Sequence, residues 1–397
     1  MQEVAITHES IIETDMSAPL SILHLHGSFD IGGKEARAAR LMAAWGDRAR
    51  HVIVSADPAA TAACALIPAG VRYEIAQDPP PLTGKPAVAR YEAIARMMRR
   101  YDLVLTYGWG AIDGVMARRV FGRDMPPLIH HEDGFGPEEA EGLKIERNLY
   151  RRVALSAAQA LVVPSEALEG IALGAWKQPR ARVHRIVTGI ATAPYAADPE
   201  PGAIPGLVRR KDEVVIGAVA ALNPIKNLSA LVRAAGGLSG KFRLVIVGEG
   251  PERAMIEGAA AAMGIADRLV MPGFVERPYR FLRSFDLVAL SSRAEQFPTA
   301  VIEAMAAGLP VASLPVGDVR RMVAAENAPF IAEWPTEVRL RDVMQALVND
   351  AGLRRTVGAA NRAKAVAEYD EGVMIARYRA LYESVMGGVP GQPGPLL

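Results

Sequence analysis

The sequence predicts an α/β protein of two doubly wound domains, each a parallel sheet covered by helices on both faces. Three observations predict it. The chain has 397 residues, half of them hydrophobic and 22% charged, which suits two cores better than one. Short apolar runs alternate with longer amphipathic stretches, the pattern of strand–helix units in a parallel sheet. The alternation breaks at 191–205, where Pro194, Pro199, Pro201 and Pro205 gather with Gly and Ala in a linker.

Taken in order, residues 21–26, 52–55, 103–106, 128–131 and 161–164 read as buried strands, with 36–45 and 87–100 as helices between them. After the linker the strands resume at 214–218, 243–247, 269–271, 286–290 and 311–313. The predicted domains are 1–195 and 196–370, followed by a helix at 371–386. The Pro-rich stretch 387–397 is expected to be a disordered tail.

Composition removes several function classes. Lys and Arg number 45 against 44 Asp and Glu, so no overall field draws nucleic acid. The single cysteine, Cys64, excludes a disulfide framework and a cysteine-based metal site and reads as a small buried hydrophobe. Glu3, Glu9, Glu13 and Asp15 precede any apolar run, the wrong order for a signal peptide. No stretch reaches the roughly 18 apolar residues of a membrane span. A cytoplasmic protein is expected, at most peripheral at the inner face of a membrane. All seven histidines (His8, His24, His26, His51, His130, His131 and His184) precede the linker, so any imidazole chemistry belongs to the first domain.

The densest constellation lies at 291–312, SSRAEQFPTAVIEAMAAGLPVA. Glu295 closes a loop after a strand. Pro298 and Thr299 stand where a helix begins, and Gly308 with Pro310 stops it. The free N–H groups of its first turn form an anion site suited to a diphosphate. Glu303, a turn further on, is placed to accept hydrogen bonds from vicinal hydroxyls. The alternative is a surface helix carrying two solvated glutamates.

The spacing of Glu295 and Glu303, followed by Ala-Met-Ala-Ala-Gly-Leu-Pro-Val, closely resembles the signature of the family 4 retaining glycosyltransferases. The resemblance implies the GT-B fold, two Rossmann-like domains facing across a cleft. It implies that Glu303 holds the ribose of a nucleotide, that Glu295 contacts the donor sugar, and that backbone near Phe297, Pro298, Thr299 and Ala300 holds the phosphates. Leu222-Asn-Pro-Ile-Lys226-Asn is similar to the family's phosphate loop, with Lys226 as the cation on the leaving diphosphate. The turn carrying Gly250 resembles the one near the donor, and that carrying Val275 the loop bordering the base. The stretch 378–382 resembles the last helix, which crosses back to the first domain. The likeness covers nearly all of 214–385.

Three positions depart from the pattern. Ala221 or Asn223 stands where the family usually has an Arg, with Arg293 a candidate substitute. Gln296 replaces a common Gly, and Arg321 stands where an acidic residue is frequent.

In the first domain, Gly32 and Gly33 match the family's first loop, close to both substrates; the other reading is a plain tight turn, and the two are compatible. His130-His131-Glu132-Asp133-Gly134-Phe135-Gly136 follows a strand at the end where open parallel sheets bind ligands. The family commonly places a His there against the donor sugar, a role that falls to His130 or His131. A metal reading is disfavoured, because consecutive strand residues point to opposite faces; no metal or other cofactor is expected. Arg96, Arg99 and Arg100 read as a solvated helix face. So do Lys144, Arg147, Arg151 and Arg152, which with Leu143, Ile145, Leu149 and Tyr150 could alternatively rest on an anionic membrane.

The function so implied is retaining transfer of a sugar from a UDP- or GDP-linked donor to a saccharide or lipid-linked saccharide, in polysaccharide, lipopolysaccharide or glycolipid synthesis. Two other classes stand beside it. One is a nucleotide-sugar-binding protein whose catalysis has lapsed. The other is a dinucleotide-dependent oxidoreductase, for which neither domain has the full Gly-x-Gly-x-x-Gly and distal acid.

Overall fold

The computed structural model describes residues 19–135, 139, 142–295 and 297–387. The acidic segment before residue 19, the expected tail beyond Gly387, Gly136 and Gln296 lie outside them.

Among the described residues the first domain holds β1 (Leu20–His26), α1 (Gly33–Trp45), β2 (Ala49–Ser55), β3 (Tyr73–Ile75), α2 (Val88–Met98), β4 (Leu103–Tyr107), α3 (Ile112–Val120), β5 (Leu128–His131), α4 (Ile145–Leu155), β6 (Ala160–Val163), α5 (Glu166–Gly174) and β7 (Val183–Arg185). Their strands pair in parallel in the order β3-β2-β1-β4-β5-β6-β7. The second domain holds β8 (Val214–Val219), α6 (Leu228–Gly236), β9 (Phe242–Val247), α7 (Arg253–Ala262), β10 (Leu269–Gly273), β11 (Leu287–Leu290), α8 (Thr299–Ala306), β12 (Val311–Ser313), α9 (Val319–Met322), α10 (Glu337–Asn349) and α11 (Ala351–Glu368). Its parallel sheet runs β10-β9-β8-β11-β12. The expected pair of doubly wound domains is what the chain forms. The strands β3 and β7, three residues each at the sheet edges, carry too little apolar sequence to be read in advance.

Both faces of each sheet are covered, so the central strands are apolar almost throughout. In β1 the alternation is still visible. Leu23 and Leu25 enter the core beneath α2 and α3, while Ile22 faces the core beneath α1. His24 and His26 share the face of Ile22. Cys64 is only half-buried.

The chain leaves the first sheet at Arg185 and enters the second at Val214. Between them Ile190 bridges to Asp370, and the Thr192 hydroxyl donates to the Asp370 carboxylate at 2.5 Å. From there α12 (Glu371–Val385) runs back over the first domain, where Met374, Tyr378, Leu381 and Tyr382 join the core of Ile22, Trp45 and Ile129. Each of these side chains contributes roughly 1.5–3 kcal/mol on burial. Strand order reverses between β1 and β4 and between β8 and β11, and loops at such points are where open α/β sheets receive ligands.

Candidate active site

The loop after β11 and the start of α8 form the centre of the second domain's wall. Pro298 precedes α8 and no side chain caps it, so the N–H groups of Thr299 and Ala300 have no helical carbonyl to bind. Positive dipole and free donors therefore coincide at one point. Beside it the Lys226 ammonium donates to the Glu295 carboxylate at 2.5 Å, and the Ser292 hydroxyl donates to the same oxygen at 2.7 Å. The two loops are also joined at the backbone carbonyls of Ile225 and Lys226. The Ser291 hydroxyl donates to the Lys226 carbonyl at 2.9 Å, and the Arg293 N–H to the Ile225 carbonyl at 2.8 Å. Arg293 itself is exposed, its guanidinium 3.5 Å from the Asn227 side chain.

Gly250 serves a packing need. A Cβ there would lie 2.4 Å from the Leu222 carbonyl oxygen, and one on Gly248 1.9 Å from that of Ala220; both have φ near +150°. Glycine at these positions lets the β9 loop lie against the loop that carries Lys226. Val275 and Phe297 pack on the core beneath, and Phe297 meets Tyr369 edge to face at 5.8 Å. Phe297 and Tyr369 line a crevice of about 360 Å³ shared with Arg185, Asp318, Arg321 and Lys364. Arg321 explains its own departure from the family pattern. It pairs with Glu166 of the first domain at 3.1 Å, while the Glu166 N–H donates to Asp318 at 2.6 Å.

Glu303 is half-buried on α8. Burial raises its pKa to about 7, opposed by the Tyr195 hydroxyl and by Arg40. Neither partner was legible as such. Tyr195 stands in the Pro- and Ala-rich linker, and Arg40 is one of many cations on the first domain's helices.

Gly32 precedes α1 with φ −162°, which any residue could adopt, and α1 has no side-chain cap. A Cβ on Gly33 would meet nothing within 4 Å, so this helix start is open. Lys34 lies 3.5 Å from Glu35.

The polar run after β5 requires a correction. His130 and His131 are fully enclosed, at 0% and 1% exposure. His130 Nδ1 pairs with the Thr106 hydroxyl at 2.8 Å; His131 lies between Tyr107 and α12, its Nε2 3.2 Å from the Tyr382 hydroxyl. Burial first, and then Arg37, lowers the His131 pKa to about 3. Asp133 is held bidentately by Arg37, and Glu132 lies 3.4 Å from Arg151. Neighbouring residues of this motif thus tie β5 to different elements: β4, α12, α4 and α1. The expected contact between His130 or His131 and a donor sugar does not survive this placement, because neither ring presents surface to the cleft.

The basic face of α4 is corrected too. Arg151 is buried among Trp109, Phe135 and Trp176 and donates to both oxygens of Glu139. Arg147 lies over Trp109 at 4.8 Å. The exposed side of the helix and its cap carries instead Lys144, Ile145, Glu146, Leu149, Arg152 and Val153. Among the described residues no group of three or more His, Cys, Asp or Glu side chains could hold a metal ion, and no helix is long and apolar enough to cross a membrane.

Comparison with known proteins places the fold and the second domain among relatives. Residues 203–364 match the family model described as glycosyl transferases group 1. The chain is 31% identical over 175 residues to EpsF of Bacillus subtilis, 42% of this chain and 45% of that one. It is 37% identical over 130 residues to the D-inositol 3-phosphate glycosyltransferase of Mycobacteroides abscessus, 31% of this chain and 29% of that one. It spans less than half the length of these curated relatives. The structure of Anabaena Alr3699/HepE in complex with UDP superposes with a TM-score of 0.74 at 21% identity, covering 92% of this chain and all of that one. The shared architecture is GT-B.

Proposed function

We propose that the protein is a retaining glycosyltransferase that moves a sugar from a nucleoside-diphosphate donor to a hydroxyl of a saccharide or lipid-linked saccharide. The observation that carries this reading is the Lys226–Glu295 pair beside the uncapped start of α8. It sets a cation and free N–H donors where a diphosphate leaves, and a carboxylate where the departing sugar's hydroxyls lie. Glu303, further along the same helix, takes the ribose hydroxyls.

In the reaction the acceptor oxygen bonds to the anomeric carbon as the bond from that carbon to the diphosphate oxygen breaks. The acceptor proton passes to a phosphate oxygen. Lys226 and the α8 dipole neutralise the leaving group. Gly32 and Gly33, at the open start of α1, border the acceptor side, and closure of the two domains assembles the site. Retention is the outcome of the family whose signature the 295–312 stretch resembles.

A uridine nucleotide is favoured over guanosine by the HepE structures, which hold UDP, UDP with glucose, or UDP-glucose. A lipid-linked saccharide acceptor is supported by a relative that acts on a diphospho-undecaprenol saccharide, 25% identical over 168 residues. Exposed Lys144, Ile145, Leu149, Arg152 and Val153, at the start and along one side of α4 with Glu146 the one acid among them, support a peripheral position at the cytoplasmic face of an anionic membrane.

The test is acceptor-free hydrolysis of UDP-glucose and GDP-mannose together with binding of UDP and GDP. Glu303→Ala is expected to weaken nucleotide binding and Glu295→Ala to suppress turnover. Full activity in both variants overturns the assignment, and binding without any turnover in the native protein marks a lapsed enzyme.

A further inference from the structure

We propose that Asp318 is a positioning residue for the reaction: from the second domain it caps helix α5 of the first, and so holds the two walls of the cleft at the angle in which the donor is turned over. The inference rests on the reading of the cleft as a nucleotide-sugar site and adds to it a contact outside the donor wall.

Asp318 follows β12 and stands immediately before α9, where a carboxylate ordinarily caps its own helix. Its side chain makes no cap there. Instead Oδ2 accepts the Glu166 N–H at 2.6 Å, and Glu166 is the first residue of α5. Ser165 Oγ accepts the Leu168 N–H at 3.1 Å, so the free donors at this helix start are divided between the two domains. The carboxylate also meets the positive end of the α5 dipole. Asp318 is 4% exposed, which shields this charge-assisted bond from water.

Arg321, one turn on, adds a weaker tie. Its Nε lies 3.1 Å from Glu166 Oε2 and its Nη1 3.8 Å from Asp318 Oδ1. Within the first domain Arg185 lies 3.0 Å from the other Glu166 oxygen. The Arg321 side chain is 67% exposed, so its pairing with Glu166 contributes less than the buried Asp318 bond.

The place of this contact gives it leverage. The two crossings of the chain between domains lie side by side at the Ile190–Asp370 bridge and act as one hinge. Val187 and Tyr369, from those crossings, and Phe297, two residues beyond Glu295, line the same crevice as Glu166, Asp318 and Arg321. The contact therefore sets the hinge angle beside the donor loop. Lys226, Glu303 and the start of α8 hold the nucleotide from the second domain, whereas turnover needs the first domain's wall as well. Loosening the contact costs turnover and spares nucleotide affinity.

The experiment compares the native protein with Asp318→Ala, Asp318→Asn and Arg321→Glu. It reads UDP and GDP affinity by calorimetry, kcat for hydrolysis of UDP-glucose and GDP-mannose, and small-angle X-ray scattering with nucleotide bound. Asp318→Ala is expected to keep nucleotide affinity within about threefold, to lower kcat about tenfold, the shift one charge-assisted hydrogen bond supports, and to enlarge the radius of gyration. Asp318→Asn keeps an oxygen for the Glu166 N–H and should recover most of the loss. Arg321→Glu, an exposed change that sets like charge against Glu166, should act in the same direction. Native kcat and native scattering in both Asp318→Ala and Arg321→Glu overturn the inference alone, as does an Asp318→Asn loss equal to that of Asp318→Ala. Absence of nucleotide binding or of hydrolysis in the native protein overturns the reading beneath it.

Discussion

Lys226 Nζ lies 2.5 Å from Glu295 Oε1, so the cation assigned to the diphosphate and the carboxylate assigned to the sugar neutralise each other across two loops. Both are largely shielded, at 26% and 10% side-chain exposure. Each would leave a charge without its partner if the other were removed. On the proposed reading, a bound donor would replace this pairing with phosphate oxygens on one side and sugar hydroxyls on the other.

The pair should therefore act as a unit in mutational kinetics. Lys226→Met and Glu295→Gln are each expected to lower turnover of a nucleotide sugar about a hundredfold, the loss typical of one electrostatic contact to a developing charge. The double variant should fall well short of the product of the two losses, as residues acting together do. Steady-state rates of nucleotide release measure this. Strict multiplication of the two effects would show that the residues act separately.

What was legible in the sequence was local. Glu295, Pro298 and Glu303 occupy one loop and one helix, so spacing along the chain fixes their arrangement in space. The strand runs were legible for the same reason. The enclosure of His130 and His131 was not legible because the partners that absorb the side chains of this run stand far away along the chain. Arg37, Arg151 and Tyr382 reach them only once α1, α4 and α12 have packed on the sheet. A polar cluster at a strand end has the same appearance whether it awaits a ligand or anchors helices. Tyr195 was hidden in the opposite way, by a linker whose composition predicts only irregular chain.

Glu303 makes a prediction about stability. Its folded pKa of about 7 lies above the ordinary carboxyl value. Its favourable contribution is therefore complete below that ordinary value and lost as pH rises through 7. At pH 8 the native fold bears a half-buried charge that Glu303→Gln lacks. The variant should gain about 1–2 kcal/mol over the native protein at pH 8 and almost nothing at pH 4.5. Thermal melts at the two values check it. Identical pH dependence of the two proteins would sink the idea.

Arg151 and Arg152 are neighbours in sequence with opposite fates. Arg151 is fully enclosed by three aromatic rings and the Glu139 carboxylate, whereas Arg152 is exposed. Arg151→Met takes the cation from buried Glu132 and leaves Glu139 only Arg147 and the Lys144 N–H, and should cost about 3–5 kcal/mol, a fall of roughly 10 °C in melting temperature. Arg152→Glu should stay within about 0.5 kcal/mol of native, while weakening any binding to anionic vesicles. Equal destabilisation by the two substitutions would contradict the placement of Arg151.

Acid should act first on the first domain. His24 and His51 share a hydrogen bond at 3.0 Å, His26 stacks on Tyr107 at 4.0 Å, and His131 stacks on the other side of that ring before meeting α12. Burial lowers all four pKa values, that of His51 to about 4 and that of His131 to about 3. A base whose folded pKa is depressed takes up protons more readily when unfolded. Its contribution is thus intact above the unfolded value near 6.5 and is lost as pH falls below it. Each histidine that stays neutral in the fold removes about 1 kcal/mol per pH unit in that window. Glu303 offsets part of this, for a net loss of about 2–4 kcal/mol between pH 7.5 and 5.5. Trp45, Trp109 and Trp176 belong to the first domain, and Trp334, in the second, is 64% exposed. Urea unfolding followed by tryptophan fluorescence therefore reports the domain that holds the histidines. Its midpoint should fall steeply between those pH values, and a midpoint that stays level would mean that the four rings do not remain neutral in the fold.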